Sequence, residues 1–218
     1  MVGSAGPYAA PKARLEVRGY VLARDGAIPR DARAYAVVAF RQASEAQRFC
    51  PAFRARLDFE GALVSGTDLT VTSRGLPVEI APMIWPVTSW GAADRPDCAT
   101  LVARYDYAGA RAFLQEARRS LAPLGLATTF NATSGPFIIS ARRSGSLTVY
   151  DLSRAPDADY DRWLVQTVDG IESGVSGPAV VAPGWRDQMR FYAFSAVPSI
   201  EAALDVFVPG YAKARAGN

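Results

Sequence analysis

The sequence predicts an α+β fold: an antiparallel sheet with helices packed on one face. Its units read either as two similar β-α-β-β, ferredoxin-like lobes or as one continuous domain. Three observations carry this. Ala110, Phe113, Leu114, Ala117 and Leu121 recur at three- and four-residue spacing, with Arg111, Glu116, Arg118 and Arg119 between them, which is one apolar helical stripe. Phe137-Ile138-Ile139-Ser140 and Leu147-Thr148-Val149-Tyr150 flank the turn-forming stretch Arg142-Arg143-Ser144-Gly145-Ser146, a hairpin signal. Finally, residues 38–61 slide onto 102–125 with matches at Val38/Val102, Ala39/Ala103, Ala46/Ala110, Phe49/Phe113, Arg54/Arg118, Leu57/Leu121 and Gly61/Gly125. A helix packed over strands that share an apolar face makes a two-layer sandwich.

Residues 1–12 are small, Gly- and Pro-rich and without periodicity, so a flexible segment is expected there. The first lobe spans 13–97. Leu15 to Leu22 begins with alternating apolar and polar residues, as a half-exposed strand does. Arg24-Asp25-Gly26 is a turn signal. Ala34 to Phe40 is an apolar run of buried-strand length. Gln42 to Leu57 reads as a helix with Ser44 in place to cap it and Phe49, Phe53 and Leu57 as its stripe; Pro51 is expected to kink or divide it. Leu63-Val64 and Leu69 to Thr72 read as short strands. Leu76 to Val87 holds Pro77, Pro82 and Pro86, so an extended, edge-like segment is expected rather than a central strand. Such a segment is also one way to dock a partner. Thr88 to Asp97 reads as a loop.

The second lobe spans 98–212. Thr100 to Tyr105 reads as a short strand, and Asp106 as the N-cap of the helix that follows. Pro123 and Gly125 end that helix. After the hairpin, the acidic start Asp157, Asp159, Asp161 leads into a helix running through Trp163 and Ile171 to about Glu172. Ser173–Pro178 reads as a loop, Ala179–Val181 and Met189–Phe194 as strands, and Ile200–Phe207 as a short helix. Residues 213–218 read as a frayed terminus.

Composition excludes several chemistries. The 218 residues include no histidine, which rules out Ser-His-Asp and Cys-His catalysis and every His-containing metal site. No metal and no cofactor is expected. Lys12 and Lys213 lie at the two ends, which argues against a Lys-based phosphate loop or Schiff base. The formal net charge is only +3, carried by scattered arginines, so nucleic acid is not the expected partner. No run approaches the roughly 20 apolar residues of a membrane span, and the first residues lack the apolar stretch of a signal peptide. Cys50 and Cys98 are disulfide candidates; they form one bridge, implying an oxidising compartment such as a periplasm, or remain two buried thiols of a cytoplasmic protein.

No motif for catalysis stands out. Gly174-Val175-Ser176-Gly177-Pro178 has Pro where a nucleophile elbow needs Gly. The spaced Asp157, Asp159 and Asp161 lack the Gly and Glu that an EF-hand loop places later, where this chain has Arg162 and Val168. Asp106, Asp151 and Glu79 are the carboxylates available for a hydrolase or transferase working without His or metal. The stronger pattern is a set of aromatics beside arginines: Tyr105, Tyr107, Tyr150 and Trp163 with Arg104, Arg142 and Arg143. Aromatic rings next to guanidinium groups can stack on a sugar or on a partner's side chain.

The run Tyr35 to Leu57, with its strand, its Phe40-Arg41 step and its Ala-rich helix, resembles the first strand and helix of sporulation-related-repeat domains of bacterial envelopes. The resemblance covers about a tenth of the chain. It implies a small domain that binds cell-wall glycan. The expectation is therefore a non-catalytic binding or assembly module, in a bacterial envelope, recognising a protein partner or a glycan through an aromatic and arginine surface. The carboxylate-dependent enzyme is the alternative.

Overall fold

All six residues of Ala34–Ala39 are buried, and so are the eight from Ile80 to Val87. Successive side chains of a strand point to opposite faces, so these two strands are covered on both sides. The architecture follows from that. A computed structural model of the chain describes residues 14–29, 32–64, 66–125, 135–142, 146–173, 190–195 and 198–210. Its elements in order are β1 (Arg14–Ala23), β2 (Ala34–Ala39), α1 (Ala43–Arg56), β3 (Phe59–Ala62), β4 (Thr70–Ser73), β5 (Leu76–Val87), α2 (Cys98–Arg104), α3 (Tyr107–Leu121), β6 (Phe137–Arg142), β7 (Ser146–Asp151), α4 (Tyr160–Ser173), β8 (Arg190–Ser195) and α5 (Pro198–Phe207).

The strands form one sheet in the order β3-β1-β5-β2-β6-β7-β8, with β4 hydrogen-bonded to β5. The α+β class holds, but the sheet is mixed. The pairs β1–β3, β1–β5 and β2–β5 are parallel, whereas β2–β6, β6–β7 and β7–β8 are antiparallel. The helices do not share one face. Phe53 and Leu57 lie over Gly19 of β1, where an added Cβ would meet both side chains at 3.5 Å, so α1 sits on that face. It packs there with α4 through Phe49 and Tyr160, 5.6 Å between ring centroids. On the opposite face α3 pairs with α5 through the stacked rings of Phe113 and Phe207, 5.6 Å apart.

The segment expected to be edge-like, residues 76–87, is the central strand β5. Its prolines are tolerated for a positional reason. The Ile80 N–H donates to the Leu69 carbonyl and the Pro86 carbonyl accepts from the Asp106 N–H, both on the edge of β5 away from β1. Peptide groups alternate along a strand, so Pro82 and Pro86 direct their missing N–H to that same edge. There β2 pairs only at Met83 and Ile84. The ladder to β1, running from Arg14↔Val78 to Ala23↔Val87, keeps its donors, and Pro77 precedes it.

Three local expectations are also corrected. Residues 100–105 are not a strand: Cys98–Arg104 is α2, because the Asp97 carboxylate caps it by accepting from the Thr100 N–H at 2.8 Å. Pro51 does not divide α1 into two elements. It shares the exposed face with Gln47, whose freed carbonyl can be hydrated there. Ser44 is not the cap either. Gln42 holds that position without a side-chain bond, and Glu45 instead accepts from the Arg41 N–H at 2.8 Å, much as a capping-box acid reaches back across the first turn.

The expected duplication does not hold for the element before the helix. Its offset carries the start of α1 at Ala43 onto the start of α3 at Tyr107, yet the element before α1 is strand β2 while the one before α3 is helix α2. Cys50 and Cys98 form a disulfide that ties α1 to the first turn of α2. Among the described residues no helix is long and apolar enough to cross a membrane. The expected loop at 174–178 and strand at 179–181 lie outside the described residues.

Candidate functional site

The aromatic residues expected on a surface are mostly core. Tyr105, Tyr150 and Trp163 are 2%, 1% and 0% exposed, so they present no ring to a ligand. Tyr105 has a structural task. The chain of β2 leaves β5 after Val37, and the peptide groups beyond it need partners. The Tyr105 hydroxyl accepts from the Phe40 N–H at 2.9 Å and donates to the Val38 carbonyl at 2.9 Å, which satisfies both. Burial pushes its phenol well above the ordinary range. Around it Phe40, Trp85 and Tyr107 lie 5.0, 5.8 and 4.7 Å from its ring. Trp85 donates from Nε1 to the Leu101 carbonyl at 2.9 Å.

The other predicted residues scatter. Tyr107 is half-buried and donates to the Val102 carbonyl; burial raises its phenol to about 12. Arg104 pairs with Asp94 at 3.2 Å. Arg142 donates to the Ile171 carbonyl in the last turn of α4, where a cation suits the helix dipole. Arg143 lies outside the described residues. The structure brings together Tyr105 and Tyr107, and no shared face unites them with Tyr150, Trp163 and Arg142.

The carboxylates offered for catalysis have separate partners on separate elements. Asp106 accepts from Arg24 Nε and Nη2, at 2.9 and 2.7 Å, and from the Gly109 N–H. Glu79 pairs with Arg33 at 2.9 Å, and Asp151 accepts from the Ser153 N–H at 2.9 Å. Asp157 pairs with Arg48 and Asp161 with Arg56, so the acidic start of α4 faces the basic side of α1. Among the described residues no group of three Cys, Asp or Glu side chains is placed to hold a metal ion.

What the fold does assemble is a cationic groove of about 230 Å³, lined by Arg41, Arg111, Leu114, Gln115 and Arg118. Four of these are on one face of α3, at helical spacing 111, 114, 115 and 118. The fifth leaves the end of β2. Arg41 follows Phe40 in the strand's alternation. Phe40 enters the aromatic core, 5.5 Å from Phe49, and Arg41 turns to the other face, its guanidinium 6.0 Å above the Phe137 ring.

The backbone of Arg41 is held at both ends. Its N–H donates to Glu45, and its carbonyl accepts from Arg111 Nη1 at 3.0 Å. Glu45 is completely buried, and its second oxygen has no hydrogen-bond partner among the described residues. The Arg41 guanidinium titrates below its ordinary value chiefly because it is partly buried; the charges of Glu45 and Asp151 favour its charged form and that of Arg118 opposes it. Arg118 has no hydrogen bond or ion pair among the described residues, while the neighbouring Arg119 pairs with Glu116 at 3.2 Å.

The lining offers donors without an acid–base pair. Arginine supplies forked N–H groups and does not deprotonate in proteins, and the Gln115 amide can donate or accept. Among the described residues, the lining contains no carboxylate, thiol or hydroxyl. That chemistry holds an anion. Sequence reading passed over these residues because Arg111 and Arg118 look like the wet face of an amphipathic helix. A signal was present: neither has an acid three or four residues away, at 107, 108, 114, 115, 121 or 122, to form the usual helix pair. Comparison with models of known families, with curated proteins and with solved structures finds no match for this chain.

Proposed function

We propose that the chain is a non-catalytic binding module of an oxidising compartment, such as a bacterial envelope, and that it recognises an anionic partner through the groove between Arg41 and α3. The observation that carries this reading is the convergence of Arg41, Arg111 and Arg118 on one depression from two separate segments. Like charges gathered this way repel, and an anion relieves the repulsion. Of the aromatic and arginine surface expected from sequence, the reading keeps the use of arginine but none of the named residues, since Arg104, Arg142 and Arg143 are not among the described lining. The Cys50–Cys98 bridge supports the compartment.

The test is a backbone amide NMR titration of the intact, oxidised chain with tripolyphosphate, succinate, an acidic hexapeptide and an oligogalacturonate. At least one should shift resonances of Arg41 and residues 111–118, and the Arg111→Ala/Arg118→Ala variant should lose that response. Shifts elsewhere only, or equal shifts in the variant, would refute the assignment.

A further inference from the structure

We infer that the groove takes a phosphate group carried as a monoester at the end of a larger molecule. This rests on the groove being the binding site. Size comes first. About 230 Å³, open to solvent, is less than the roughly 300–1,000 Å³ of sites that enclose a whole small molecule. The groove therefore holds one charged group and leaves the rest of its bearer outside.

The charge gathered in the groove then selects among anions. Arg111 and Arg118 carry their planar forks of N–H groups at the surface, and Arg41 adds a third positive charge to the lining. A carboxylate offers two oxygens and one negative charge. A phosphate monoester offers three acceptor oxygens and about −1.5 to −2 charges at neutral pH, so it can accept from both forks and offsets more of the repulsion among three positive charges. The walls agree with a terminal group. Among the described lining residues Leu114 is the apolar member, and none is an aromatic that could stack a base or a sugar, as single-stranded nucleic acids use. Arg111 is steadied by its bond to the Arg41 carbonyl, and among the described residues Arg118 has no bond of its own to give up.

Methyl phosphate, inorganic phosphate and acetate are the probes, titrated into the oxidised chain and followed by NMR at Arg41 and residues 111–118. Methyl phosphate should bind at least ten-fold tighter than acetate and at least as tightly as inorganic phosphate. Binding should strengthen as pH rises through about 6, where the monoester gains its second charge. Arg118→Ala should weaken it about ten-fold, and Arg118→Lys, which keeps the charge but not the fork, should weaken it less. Arg118 is exposed, so both variants should retain the wild-type spectrum elsewhere. Acetate or succinate binding equally well, or affinity flat between pH 5 and about 7, where the charge changes, overturns the phosphate assignment while leaving the groove as a binding site. Inorganic phosphate binding ten-fold tighter than methyl phosphate overturns the ester. No response in the groove to any of these anions overturns both readings.

Discussion

Phe40 and Arg41 are neighbours in the chain and belong to two regions built on opposite principles. On the Phe40 side, Phe49, Phe53, Trp85, Tyr105 and Tyr160 pack ring against ring, with Phe40–Trp85 and Phe53–Trp85 both 5.0 Å apart. The polar atoms of Tyr105 and Trp85 bond to backbone groups. On the Arg41 side the backbone is secured by Glu45 and Arg111, and the forks of Arg111 and Arg118 stay at the surface. The first region holds the fold together. The second leaves hydrogen-bonding capacity for something else. The difference teaches that residue type alone does not separate the two uses: tyrosines that look like a binding surface complete the backbone, and arginines that look like a wet helix face build the groove.

Substitutions can break this contrast, and the largest effect is expected in the aromatic region. Trp85→Ala should cost about 3–5 kcal/mol, because it removes a wholly buried ring and leaves a cavity; urea denaturation at neutral pH measures it. The disulfide closes a separation of 48 residues, so replacing both Cys50 and Cys98 with Ala should cost about 2–4 kcal/mol, read the same way. Tyr105→Phe keeps the ring and removes the hydroxyl, leaving the Phe40 N–H and Val38 carbonyl unpaired; about 1–3 kcal/mol should be lost.

Asp106 joins the two regions, since it caps α3 and holds Arg24. Burial works against its charge, but the Arg24 fork, the Gly109 N–H and the nearby Arg111 charge outweigh it and hold the carboxyl below its ordinary range. A depressed folded-state value means the contribution is present above the unfolded value, near pH 4, and is lost as pH falls through the lower folded value. Asp106→Asn should therefore cost about 1–2 kcal/mol at pH 7 and nearly nothing at about pH 2. Denaturation curves at both pH values decide this, and an equal loss at both would assign the effect to packing. The smallest effect belongs to the groove: Arg111→Ala and Arg118→Ala should each change stability by less than about 0.5 kcal/mol. A larger loss would make these arginines structural and erase the contrast.

Much of the secondary structure was legible in the sequence. The stripe Ala110, Phe113, Leu114, Ala117, Leu121 is the buried face of α3, Asp106 is its cap, and the paired runs at 137–140 and 147–150 are β6 and β7. These succeed because periodicity and caps act within a few residues of chain. The failures share the opposite character. Thr100 to Tyr105 has strand-like residues, yet an N-cap at Asp97 and a covalent tie from Cys98 to α1 make it helical. The prolines of 76–87 exclude a central strand only if each faces a neighbour that needs its N–H, and which edge faces which neighbour depends on strand order.

The sequence by itself determined the class of chain, the places of most helices and strands, and the chemistries that lack of histidine forbids. It also held the two cysteines without deciding their pairing. Only the tertiary structure decided the mixed sheet, the burial of Tyr105, Tyr150 and Trp163, and the meeting of Arg41 with Arg111 and Arg118. The physical reason is range. Propensity, capping and periodicity are set by neighbours in the chain, whereas burial and charge clustering are set by residues 70 and more positions apart, such as Arg41 and Arg111, which meet only once the sheet and its covering helices are in place.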